Sequence, residues 1–229
     1  MKILYRISEG GNTKLKPDYV YDKQRMFLHF IKTFAKHDIY VFADNVGTNL
    51  YLFLLENYDT EKIFRTSHGN SNSFFCVLDF AIKNFNDDDI LYFAEDDYIY
   101  KPNAPEIIEE GLRISDYSSG YDHPDKYVNY SEGGDNPFIE NGGELTRVVT
   151  TQSTHWKYTN SFCMTFASTV QTMKEDYHVF KSHNAHDFPI FRELIESKNR
   201  KLASCIPSVS THGETHYMAK FVDWEKLVD

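Results

Sequence analysis

The chain has 229 residues, enough for one large domain or two small ones and ample for a real core. With 41% hydrophobic and 25% charged residues it is globular rather than disordered. A formal net charge of −10, with no basic cluster beyond Lys198, Arg200 and Lys201, gives nucleic acid no footing.

Strand and helix signals alternate through the first half. Lys2 to Ile7 reads as a strand ended by Gly10–Gly11. A helix from about Asp22 to Phe34 places Phe27, Phe30, Ile31 and Phe34 on one face. Ile39 to Ala43 is a second strand. Thr48 to Asn57 is a second helix, with Leu50, Leu54 and Leu55 inward. Ile63 to Arg65 is a short strand. Ser71 to Phe85 is a third helix, aligning Phe74, Val77, Leu78, Ala81 and Phe85. A strand from Ile90 to Ala94 follows, and Pro105 opens a short helix ending near Leu112.

The second half is less regular. Gly133–Gly134 and Gly142–Gly143 bracket a long polar loop. Thr146 to Gln152 and Asn160 to Ser168 read as strands, possible partners in an antiparallel pair. A helix from about Asp187 to Ser197 carries Phe188, Phe191, Leu194 and Ile195, and Leu202 to Ile206 is a last strand before Pro207. Alternating strands and helices predict an α/β fold: a mostly parallel, doubly wound central sheet with a small antiparallel portion. The expected organisation is one domain, a nucleotide-binding half over residues 1–100 and a second half over 101–229 that completes the cleft.

Aromatics make up 16% of the chain, with 16 Tyr and 18 Phe. They suit a Phe-rich core, and so many tyrosines also suit a groove for a sugar. Cys76, Cys163 and Cys205 are odd in number and widely spaced, as free thiols in a reducing compartment are. With no signal-peptide core and no apolar run near ~18 residues, the expected location is cytoplasmic.

Two acidic triplets flank the Ile90–Ala94 strand, Asp87–Asp89 before it and Glu95–Asp97 after it. Ligands of open α/β sheets bind beyond the carboxyl ends of strands. Asp87–Asp89 therefore reads as a solvated turn and Glu95–Asp97 as the candidate site. Alternation along a strand puts Glu95 and Asp97 on one side and Asp96 on the other. Such carboxylates are hard ligands for Mg2+ or Mn2+ shared with a substrate's phosphates, and a chain this acidic needs such an ion, or backbone N–H groups, to hold phosphates. An isolated acidic turn is the alternative.

A strand ending in an Asp-x-Asp-like motif, after a strand–helix–strand–helix half, resembles the GT-A class of nucleotide-sugar glycosyltransferases. The blocks YFAEDDYIYKPNA, YDHPDKY, HWKYTNSFCMTFAST, HDFPIFREL and THGE followed by VDW resemble small family-two-like GT-A transferases of bacteria and viruses. The motif here is Glu-x-Asp, which makes Asp97 the firmer metal ligand and Glu95 the weaker.

The resemblance implies a nucleotide-sugar donor, UDP-sugar by default, and a glycan or glycoconjugate acceptor. For a viral member it implies the host-cell cytoplasm. It also implies site roles. His212 joins Asp97 on the metal. Arg6, Ser8, Asp44, Asn70, Ser73 and Asp96 serve the nucleotide. Asp187 is the base of an inverting reaction. Asp122, His123, Trp156, Asn160, Ser161 and His186 line the donor-sugar and acceptor side.

Each role has a structural alternative from local sequence. Arg6 could form a surface ion pair, Asp44 a turn, Asn70 and Asp187 helix caps, and Trp156 a core anchor. Two other function classes fit the acids: a metal-dependent carbohydrate-binding module without catalysis, and a metal-dependent phosphohydrolase or nucleotidyltransferase.

Overall fold

The computed structural model describes residues 1–10 and 14–228. Gly10 lies in the bend after the first strand, and Gly11 lies outside the described residues. In chain order the first half comprises β1 (Lys2–Ile7), α1 (Asp18–Tyr21), α2 (Lys23–Thr33), β2 (Asp38–Asp44), α3 (Thr48–Asn57), β3 (Ile63–Thr66), α4 (Asn70–Asn84) and β4 (Ile90–Glu95). There follow β5 (Tyr98–Tyr100), α5 (Ala104–Gly111), β6 (Tyr117–Ser119), β7 (Val148–Thr150), β8 (His155–Tyr158) and β9 (Phe166–Thr169). The chain closes with α6 (Val170–Ser182), α7 (Asp187–Lys198), β10 (Leu202–Ile206) and β11 (Ser210–His212).

The largest sheet has the order β3-β2-β1-β4-β9-β6-β10-β8-β7. The pairings make every strand but β8 and β9 run in one direction. A second, antiparallel sheet pairs β11 with β5. The sheet is covered on both faces, as parallel strands require. In β1, Ile3 and Tyr5 join the cluster under α2, which includes Phe27 and Phe30, while Leu4 joins the opposite cluster with Phe74 and Leu78 of α4. Asp22 caps α2, its carboxylate accepting from the Arg25 N–H at 3.0 Å.

Several elements depart from the sequence reading. The stretch expected as a strand from Asn160 to Ser168 is irregular until Phe166, where β9 begins and pairs with β4 and β6. The antiparallel partner of β7 is β8, centred on Trp156 and Lys157. The short strands β5, β6 and β11 and the helix α6 were not anticipated. Residues 120–147 hold no strand or α-helix, as the paired glycines implied. Asp87 and Asp88 are exposed in a turn, with Asp87 paired to Lys174. Among the described residues no helix is long and apolar enough to cross a membrane.

Candidate active site

The carboxyl ends of β1, β2 and β4 open on one cavity of about 1000 Å³. At one end of it, Arg6 leaves β1 between two elements. Its guanidinium donates to Glu95 Oε1 at 2.6 Å and to the Asn70 carbonyl at 3.0 Å, and lies 5.7 Å from the Phe74 ring centre. The Ser8 N–H donates to Asp96 Oδ2 at 2.7 Å. Asp44, at the end of β2, accepts from Thr66 Oγ1 at 2.8 Å and from the N–H groups of His68 and Gly69 at 2.7 and 2.9 Å. Burial raises the Asp44 pKa, but these donors outweigh it and leave the group below its ordinary value. Asp44 thus fastens the loop that starts α4, where Asn70 and Ser73 face the cavity. Gly69 makes that start possible, with φ at 76°, a region that favours glycine.

The chain turns immediately after Glu95, so strand alternation stops there. Glu95, Asp96 and Asp97 all line the cavity instead of dividing between two sides. Each is matched by its own cation. Glu95 pairs with Arg6 at 2.6 Å, Asp96 with Lys23 at 2.7 Å and Asp97 with Lys16 at 2.7 Å.

The small sheet supplies His212. Antiparallel pairing sets it opposite Tyr98, one residue beyond Asp97, and the two rings stack with centroids 5.0 Å apart. His212 Nε2 lies 3.1 Å from Asp97 Oδ2. Burial raises Asp97, but His212 and Lys16 prevail and hold it well below the usual carboxylate range. Burial lowers His212, yet Asp97, Glu95 and Glu214 raise it on balance. The next residue has to be glycine. A Cβ at Gly213 would lie 2.6 Å from Val20 Cγ1 and 2.8 Å from the Asp97 carbonyl.

Asp97 and His212 offer an oxygen and a nitrogen donor that converge. This fits an ion held by one carboxylate and one imidazole, with remaining ligands from substrate phosphates and water. Among the described residues no three His, Cys, Asp or Glu side chains form a preformed cage. Glu95 is turned to Arg6.

At the other end, α7 begins at the cavity wall. His186, Asp187 and Phe188 face it, and Asp187 Oδ1 accepts from the Phe188 N–H at 2.7 Å. His123 and Ser161 also line the cavity. His123 Nδ1 lies 2.7 Å from Asp125 Oδ1, and its ring packs against Tyr217. Lys126 Nζ donates to Ser161 Oγ at 2.6 Å and to Asn160 Oδ1 at 2.9 Å.

Three expected site residues stand elsewhere. Trp156 is 0% exposed, outside the cavity, with Nε1 donating to Thr151 Oγ1 at 2.8 Å; it anchors the core. Asp122 pairs with the buried Lys157 at 2.7 Å and is a structural ion pair. Asn160 stands behind the wall, orienting Lys126. Conversely, Lys16, Lys23, Asp125, Lys126 and Glu214 line the cavity without having been anticipated. Asp125, Lys126 and Glu214 lie inside the blocks YDHPDKY and THGE, which was their only signal. Lys16 and Lys23 had none, since charged residues in an unpatterned segment read as solvated surface.

No protein-family model matches the chain, and no curated protein matches it in sequence. Solved structures do. A protein from Desulfovibrio desulfuricans G20 assigned as a nucleotide-diphospho-sugar transferase superposes with a TM-score of 0.52 at 11% identity, over 89% of this chain and 78% of that one. The galactosyltransferase LgtC, solved with donor and acceptor sugar analogues, gives 0.46 at 7% identity, over 89% and 73%. The 4-diphosphocytidyl-2C-methyl-D-erythritol synthase of Anaerococcus prevotii gives 0.48 at 14% identity, over 90% and 88%. The first of these superpositions shows that the chain has the α/β fold of that protein, GT-A, the fold of nucleotide-diphospho-sugar transferases.

Proposed function

We propose that the protein is a metal-assisted glycosyltransferase, moving a sugar from a nucleoside-diphosphate sugar to a hydroxyl of a glycan or glycoconjugate with inversion. One observation carries this reading: the Asp97–His212 pair and Asp187 open on the same cavity, at the carboxyl ends of the parallel strands. The nucleoside lies against Arg6, Ser8, Asn70 and Ser73, with Asp44 holding the last two in place. UDP is the favoured nucleotide, by analogy with the fold's common donors.

Asp97 and His212 would hold Mn2+ or Mg2+, which neutralises charge on a departing diphosphate. Asp187 accepts the acceptor's hydroxyl proton while that oxygen forms the new bond to the anomeric carbon. The bond from that carbon to the diphosphate oxygen breaks on the opposite face, and the nucleoside diphosphate leaves with the electron pair. Asp187 opens α7, and the N–H groups of that first turn hold the carboxylate in place at the cavity wall. The cysteines Cys76, Cys163 and Cys205 are all free thiols, which agrees with a cytoplasmic site of action.

Calorimetry with UDP, GDP and dTDP, each with and without Mn2+, tests this on wild type and Asp97→Ala. One nucleotide should bind tightly, only with metal, and lose that binding in the variant. Binding of none would overturn the reading and favour a carbohydrate-binding module. Pyrophosphate release from a nucleoside triphosphate and a sugar phosphate would instead identify a nucleotidyltransferase.

A further inference from the structure

We propose that Lys16 is the resident counter-cation of Asp97, displaced by the divalent ion and handed on to the donor's diphosphate. This rests on the transferase reading of the same cavity. Lys16 Nζ lies 2.7 Å from Asp97 Oδ2, the same oxygen that His212 Nε2 approaches at 3.1 Å. Lys16 is 5% exposed, although the preceding Leu15 is 61% exposed, so the side chain reaches inward from a surface segment. Its backbone N–H donates to the Tyr21 hydroxyl at 3.1 Å, and Tyr21 also lines the cavity.

An ion bound to Asp97 Oδ2 at a metal–oxygen distance of roughly 2.1 Å comes within about 4 Å of that ammonium. Two positive charges so close in a partly desolvated site repel strongly. Lys16 therefore gives way to an ion that binds this oxygen. The natural destination of a displaced ammonium in this cavity is the diphosphate that arrives with the ion. Lys23 and Arg6 differ, because their own partners are Asp96 and Glu95. The arrangement keeps the carboxylate compensated while the site waits for substrate, and makes ion and diphosphate arrive as a pair.

Mn2+ binding without nucleotide, read from the electron-paramagnetic-resonance signal of the free ion, tests the displacement. Lys16→Gln should bind Mn2+ at least about tenfold more tightly than wild type, because the competing charge is gone. Lys16→Met keeps the apolar stem and should behave alike, so misfolding of one variant does not decide the matter. Lys16→Arg should stay near wild type, and Lys23→Gln should change the affinity by less than about twofold.

Inorganic pyrophosphate tests the hand-over. It should tighten Mn2+ binding more in wild type than in Lys16→Gln, where no ammonium waits to be drawn off. Neutral Lys16 variants that bind Mn2+ no better than wild type, or not at all, would overturn the displacement. Equal pyrophosphate gains would overturn the hand-over. Either result with intact metal-dependent nucleoside-diphosphate binding sinks this inference alone, whereas loss of nucleotide binding in wild type sinks the transferase reading.

Discussion

Asp187 and Asp97 are both carboxylates on one cavity, yet their surroundings differ. Asp97 is enclosed by Lys16 and His212, which suits a permanently charged ligand. Asp187 accepts from the Phe188 N–H beside it, which positions the carboxylate at the start of its helix. Asp187→Asn keeps the shape and removes the base of the proposed mechanism. Sugar transfer should fall by about 10²–10⁴-fold while the donor's Kd stays unchanged. Initial rates and donor calorimetry on the variant check this, and wild-type turnover would remove Asp187 from the mechanism. Asp97 could be singled out in the sequence because a strand end leaves a pattern, and Asp187 only through the resemblance carried by HDFPIFREL. Lys16 could not, because its role comes from a contact with a residue far along the chain. Trp156 misled for a physical reason: an indole serves equally as a sugar platform and as a core filler with one satisfied N–H.

At the scale of elements, the packing of α2 on β5 depends on a neutral histidine. His29 Nε2 accepts the Tyr100 N–H at 3.0 Å. Burial lowers its pKa to about 4, although the Leu227 carbonyl favours the charged form. Because the folded value lies below the unfolded one, near 6.5, the unfolded chain takes up the proton first as pH falls. The contribution is fully present above about 6.5 and is lost as pH drops toward 4. Urea unfolding at pH 7 and 4.5 should show wild type losing about 2 kcal/mol more than His29→Gln over that interval; equal losses would contradict a neutral buried His29.

The contact of α5 with β6 and β8 is as tight. A Cβ at Gly111 would lie 2.2 Å from Ser118 Oγ and 2.6 Å from Trp156 Cη2. Gly111→Ala should therefore cost about 1–3 kcal/mol of unfolding free energy, visible as a lower Tm. An unchanged melting curve would mean that the helix end shifts freely.

The elements most legible in the sequence were those with long periodic apolar stripes, α2, α4 and α7. The helix α6 was hidden because Asp176 interrupts its apolar face, 0% exposed and held by Arg200 Nε at 2.8 Å and the Tyr117 hydroxyl at 2.7 Å. A buried acid is tolerable only with such partners, and those lie on other elements. β5 and β11 are three residues each, too short to carry alternation, and exist because they pair with each other.

For the whole molecule, the two halves of the sequence do not make two cores. β4 is flanked by β1 from the first half and β9 from the second, so one hydrogen-bonded sheet runs through both. One apolar cluster joins Ile3, Phe27 and Phe30 to Trp156, Cys205 and Trp224. The expected division near residue 100 is thus not one between separate cores, since one sheet and one apolar cluster run through both halves. Unfolding should then be a single cooperative event. Both tryptophans, Trp156 and Trp224, lie in the second half and report on it by fluorescence, whereas far-UV circular dichroism also follows α2, α3 and α4 of the first. The two probes should give coincident urea transitions. A fluorescence change that precedes the loss of helix would show the second half opening alone and would make the cleft a contact between separate folding units. Coincidence would mean that the order of the site, with Asp97 supplied before residue 100 and Asp187 and His212 after it, is tied to the stability of the entire chain.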